Sequence, residues 1–178
     1  MHDLVVDLAR WAAGELCFRL DDKPDGRCSS KTLHFSYVSG HYNGVQKFVA
    51  ISEVKHLRTF LPFSLSHNPH NYLSSKVTHH LLPDLKYLQM LSFCGYQITA
   101  LSNSIAKSNH LKYLDLSHTL IVSLPISTST LYNLQTLIID DCSQLRALPA
   151  KMRNLTNLRH LKNSNVPLLR GMPPQLSD

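Results

Sequence analysis

The sequence predicts an α/β solenoid: coils of chain stacked side by side, their short parallel strands lining one concave face. Two observations predict it. From Leu85 the chain repeats itself, reading LKYLQMLSFCGYQITALSNSIAK, SNHLKYLDLSHTLIVSLPISTST, LYNLQTLIIDDCSQLRALPAKMRN and LTNLRHLKNSNVPLLRGMPPQLSD, in units of 23 to 24 residues that begin at Leu85, Ser108, Leu131 and Leu155. Within each unit the apolar residues recur at fixed places: Leu88, Leu111, Leu134 and Leu158, then Leu91, Leu114, Leu137 and Leu161. A further column holds Leu101, Leu124, Leu148 and Met172, each followed by Ser or Pro.

The spacing LxxLxL sets the leucines of a short strand on one face at period two, leaving the residues between them on the other. A unit of this size cannot bury its own leucines, but stacked units give each leucine row a neighbour and form a continuous core. Fully burying one such side chain stabilises by roughly 1.5–3 kcal/mol. The Leu-Pro step suits a turn onto the convex side, because Pro fixes φ and cannot donate into a ladder. This is the leucine-rich repeat pattern. Two departures stand out. Ser108 replaces the opening Leu and Thr128 replaces Ile105 or Met152, which predicts a loosely packed second unit, and Asn163 takes the inward place of Phe93, Leu116 and Ile139.

The first half is less regular. Residues 1–22 read as an amphipathic helix, with Leu4, Leu8, Trp11 or Ala12, and Leu16 at three-to-four spacing and Asp3 placed as its N-cap. Residues 23–53 read as a linker and an opening strand, in which Leu33, Phe35 and Tyr37 alternate with His34 and Ser36 over 32–38. The repeats are expected over 54–178, with Leu57 and Phe60 in an opening repeat at 54–63 and an insertion loop at 64–80.

With 178 residues, 43% of them apolar and 17% charged, the chain is long enough to bury a core without staples. No run of 18 apolar residues suggests a membrane span. Met1-His2-Asp3 lacks the basic start of a signal peptide, and the four cysteines form no Cys-x-x-Cys pair. A reducing, cytoplasmic setting is the expectation. His67, His70, His79 and His80 fall in the insertion without the spacing of a zinc site, so no metal is expected. No Gly-rich phosphate loop, nucleophile elbow or zincin motif occurs, and Asp115 and His118 lack a nucleophile to complete a triad; no catalytic residue is assigned.

The residues between the strand leucines are the candidates for contact with a protein partner. They are Met90, Ser92, Tyr113, Asp115, Thr136, Ile138, Asp140, His160, Lys162 and Ser164. Met90, Tyr113 and Ile138 weigh toward a binding face, because apolar groups left in water there are costly unless covered. The stretch 146–170 carries Arg146, Lys151, Arg153, Arg159, Lys162 and Arg170 with no acid and no aromatic residue, which leaves nothing for base stacking; nucleic acid is not expected as a partner.

Two segments resemble plant disease-resistance proteins of the coiled-coil, nucleotide-binding (NB-ARC), leucine-rich-repeat type. MHDLVVDLA at residues 1–9 is similar to the Met-His-Asp motif that closes the family's nucleotide-binding region, and residues 111–125 and 131–161 resemble its repeats. The resemblance implies a non-enzymatic recognition module that senses a pathogen effector or a host protein and restrains a nucleotide-dependent switch. By the same resemblance His2 would contact the phosphate of bound ADP, with Asp3 steadying the loop, and the NB-ARC region would be an intramolecular partner. The phosphate loop and magnesium-binding acid of the family have no counterpart here, so ADP or ATP is expected only in a complete family member. Val6 stands where relatives often carry His. A chain that opens at the motif is expected to be a fragment, a truncated gene model or a degenerate copy. The rival readings are a nucleotide-binding regulatory switch and an intracellular repeat scaffold.

Overall fold

The LxxLxL segments form the strands of one curved parallel sheet in the computed structural model, which describes residues 8–9, 11–20, 28–38, 42–43, 48–49, 51, 53–63, 71–74 and 77–171. The strands in chain order are β1 (Cys17–Leu20), β2 (His34–Val38), β3 (Tyr42–Asn43), β4 (Thr59–Phe63), β5 (Tyr72–Leu73), β6 (Met90–Ser92), β7 (Tyr113–Asp115), β8 (Thr136–Ile138) and β9 (His160–Lys162). Seven of them make the main sheet in the order β1-β2-β4-β6-β7-β8-β9, and β3 pairs with β5 on the side. On the convex side the Leu-Ser and Leu-Pro steps lead into short 3₁₀ turns at Asn103–Lys107, Ile126–Thr130 and Ala150–Asn154. Pro125 and Pro149 stand before two of these turns with φ of −65° and −59°, values their rings impose.

The register of the ladder aligns one inward column through the whole sheet. Phe18, Phe35, Phe60, Leu91, Leu114, Leu137 and Leu161 are successive partners. The middle members are buried, while Phe18 and Leu161 at the two ends are only partly so. The first half thus uses phenylalanine where the second uses leucine. Phe18 stacks on Phe35 at 5.9 Å and Phe35 on Phe60 at 5.7 Å between ring centroids. Tyr37 and Phe48 join them edge to face at 4.8 Å. Burial pushes the Tyr37 phenol well up, and the neighbouring Tyr96 adds to it.

Three boundaries differ from the sequence expectation. The helix expected over 1–22 is α-helical at 8–9 and 11–13 among the described residues; at Gly14, with φ +51°, it gives way to a short 3₁₀ turn, Gly14–Leu16, and Cys17–Leu20 is a strand. Leu8, Trp11 and Leu16 are exposed, Trp11 at 81%, so the described part of the apolar stripe that suggested a longer helix is not packed. The repeats begin before residue 54, because β1 and β2 already belong to the sheet. The insertion expected at 64–80 is at least in part ordered coil: β5 pairs with β3, Asn71 bridges to Tyr96, and Val77–Leu81 is a wide helical turn with Val77 buried. Residues 64–70, with His67 and His70, lie outside the described residues.

Each of the last four coils turns the corner after its strand with one left-handed residue: Gly95 (φ +77°), His118 (+56°), Asp141 (+55°) and Asn165 (+52°). Only glycine adopts that conformation without steric cost, and Asp and Asn tolerate it better than most. Ser108 and Thr128, expected to loosen the second unit, are both buried. Thr128 Oγ1 and Ser129 Oγ are buried there without a hydrogen-bond partner. Asn163, inward in the last described coil, is half-buried.

Three substitutions, at two positions, test this packing by urea denaturation. Leu137→Ala is expected to cost about 2–5 kcal/mol, and Leu137→Asp, which puts a carboxylate in the dry column, to unfold the chain. Thr128→Val keeps the shape, removes the unpaired hydroxyl and is expected to raise stability by about 1 kcal/mol.

Candidate recognition surface

Sheet register brings the predicted contact residues into rows. Met90, Tyr113, Thr136 and His160 are consecutive partners, and so are Ser92, Asp115, Ile138 and Lys162. Asp140 and Ser164 follow just beyond the strands, where the Ser164 N–H donates to Asp140 Oδ1 at 2.6 Å. The same rows continue through the first three strands of the sheet. Cys17, His34 and Thr59 extend the first row, and Arg19, Ser36 and Leu61 pair along the second. The Arg19 guanidinium lies 4.7 Å above the Phe63 ring centroid. Seven strands at about 4.8 Å span roughly 29 Å, nearly twice what four repeats alone would offer. The alternation in HFSYV was the signal for β2; in β1 the three-to-four spacing of the preceding residues masked it.

Two of the predicted residues serve the fold. Ser92 is 5% exposed and cannot reach a partner. Its hydroxyl donates to Asp115 Oδ2 at 3.1 Å and accepts from the Cys94 N–H at 3.1 Å. Asp115 Oδ1 accepts from the Ser117 N–H at 3.0 Å and the Ser117 hydroxyl at 2.6 Å. This carboxylate therefore gathers the strand ends of adjacent coils. Beside it the Tyr113 phenol is raised by burial, with the Asp115 charge and the Cys94 thiol adding to the shift. Met90, Thr136 and Ile138 are half-buried on the face, and His160, Lys162 and Ser164 are exposed.

Behind the face, buried polar groups close the gap between coils. Thr119 Oγ1 donates to the Leu116 carbonyl at 2.7 Å, and the Cys142 thiol donates to the same carbonyl at 3.1 Å. Burial pushes the Cys142 thiol up, against the lowering effect of Thr119. Cys17, Cys28, Cys94 and Cys142 are all free thiols. Among the described residues no group of three or more His, Cys, Asp or Glu could hold a metal ion. No described helix is long and apolar enough to cross a membrane. His2 and Asp3 lie outside the described residues.

These contacts generate two expectations. Asp115→Ala is expected to cost about 2 kcal/mol, because it strands the Ser117 N–H and two hydroxyls, whereas Asp140→Ala costs less than about 1 kcal/mol; urea midpoints compare them. Cys142 in the folded chain keeps its proton to higher pH than in the unfolded one. The contribution of this thiol to stability is therefore level below about pH 8.5 and falls as pH rises through the thiol range. Denaturation at pH 7 and pH 9.5 is expected to show a smaller fall in Cys142→Ala than in the parent chain.

Comparison with known sequences agrees with this architecture. A family model described as a leucine-rich repeat region matches residues 41–172. A protein of Arabidopsis thaliana named as disease resistance protein At3g14460 is 41% identical over 146 residues, covering 82% of this chain and 10% of its own length. A second Arabidopsis thaliana protein, named as disease resistance RPP13-like protein 1, is 40% identical over 140 residues, covering 78% of this chain and 13% of its own length. This chain thus spans only about a tenth of the curated relatives it matches. Among solved structures, the leucine-rich repeat domain of the type III effector XCV3220 (XopL) aligns over 98% of this chain and 61% of its own, at 19% identity and a TM-score of 0.49. The chain belongs to the leucine-rich repeat region family, and its relatives there are plant disease resistance proteins.

Proposed function

We propose that this chain is the non-enzymatic protein-recognition module of a plant immune receptor, and that it binds a pathogen effector or host protein on its concave face. The observation that carries the reading is the pair of in-register rows, in which Met90, Tyr113, Thr136 and Ile138 sit half-buried on an open sheet. Such a surface is rigid, extended and partly apolar, which suits protein contact better than small-molecule chemistry. In a full-length receptor the same face would also hold the nucleotide-binding region in its resting state, with His2 and Asp3 at the end of that region. The four unpaired thiols suit a reducing, cytoplasmic setting.

Site-directed photocrosslinking in leaf extract tests the proposal. A benzophenone amino acid is placed at positions 113, 138 and 160 on the concave face, and at 107, 130 and 153 on the convex side. A discrete protein adduct is expected from the concave set, and it is expected to be lost when Thr136→Asp is added to those chains. Adducts from the convex set alone would overturn the assignment.

A further inference from the structure

The residue just before each member of the first outward row forms a row of its own along one rim of the concave face. After Leu16 and Leu33 in the first two coils it runs Arg58, Gln89, Lys112, Gln135, Arg159, so over these five coils cations alternate with glutamines. Consecutive backbone hydrogen bonds fix this order: Gln89 N–H to the Arg58 carbonyl at 2.8 Å, Lys112 to Gln89 at 2.8 Å, Gln135 to Lys112 at 2.8 Å and Arg159 to Gln135 at 2.9 Å. The three cations are exposed and the two glutamines half-buried. None of the three cations has a carboxylate partner among the described residues, while the carboxylate of Asp115 is turned to hydroxyls and a backbone N–H.

Because the cations stand on every second coil, their anchoring points are about 10 Å apart at the usual strand separation. A partner that satisfies them together must carry negative charges at that interval on one side. A polyproline II segment does so: three residues per turn and about 3.1 Å per residue return every third side chain to the same side after roughly 9.3 Å. Its backbone has no internal hydrogen bonds, so the amides of Gln89 and Gln135 can bond to it between the charges. An extended β-strand puts residues i and i+3 on opposite sides; a nucleic-acid strand, with a charge about every 3.4 Å, meets the interval only at every third phosphate and leaves two unmatched charges between; an α-helix returns a face after seven residues, about 10.5 Å, but its backbone bonds are internal and leave nothing for the glutamine amides.

From this geometry we infer that the rim takes an acidic polypeptide segment in polyproline II conformation, with Asp or Glu at every third position, lying across the strands. The inference rests on the concave face being the recognition surface and adds the chemistry of what it recognises.

Fluorescence anisotropy with two labelled peptides of one composition is the test. In (Glu-Pro-Pro)₄ the charges fall at every third residue; in Glu₄-Pro₈ they are clustered. At low salt the spaced peptide is expected to bind at least about fivefold tighter, in the range that a few exposed ion pairs supply. Lys112→Glu is expected to weaken it about tenfold, and Lys112→Arg to keep it, with circular dichroism checking that each variant folds. Equal affinity for the two peptides, indifference to Lys112→Glu, or tighter binding of single-stranded DNA of the same charge would each overturn the inference. If these fail while the concave crosslinks persist, the recognition face stands and the acidic partner alone is wrong.

Discussion

Parallel register is the constraint on which the rest depends. Each coil is too small to keep its own apolar residues dry, so it is stable only where the next coil presents a side chain at the same height. The unbroken column from Phe18 to Leu161 meets that condition, and it fixes everything on the other side of the sheet. A shift of one residue in any strand would send the column outward and the face inward. The recognition surface is thus a by-product of the core: its rows are straight because the buried column is straight.

The second half was legible because leucine recurs at fixed places, and the strands fall where those leucines put them. The first half obeys the same geometry in a different alphabet. Phe35 and Phe60 fill the column, and a buried Thr32 stands three residues before Phe35, where later coils carry leucine, its hydroxyl donating to the Glu15 carbonyl at 3.1 Å. A search for repeated leucines passes over such coils, although alternation in HFSYV marked the strand itself. Strand β1 was hidden for another reason. The residues before it carry a helical stripe, and only Gly14 breaks it.

The face was legible in outline but not in its division of labour. Outward position follows from period two, so the rows could be named. Which of their members remain available depends on contacts between coils that no single-unit pattern reveals. Ser92 and Asp115 occupy equivalent sites on adjacent strands, and their bond to each other and to Ser117 makes them part of the scaffold. The alternation along the rim is likewise visible only once neighbouring coils are set side by side, because its members are 23 to 31 residues apart in the chain.

The unsatisfied hydroxyls of Thr128 and Ser129 have a consequence for how the array behaves under load. A globular core distributes a local defect over many neighbours, whereas a stack feels it at one joint only. Opening between the coil that carries Ile126–Thr130 and those beside it should therefore precede loss of the others. Such an event would leave the aromatic end of the array standing while the far strands tilt away, changing the curvature of the whole arch from its middle.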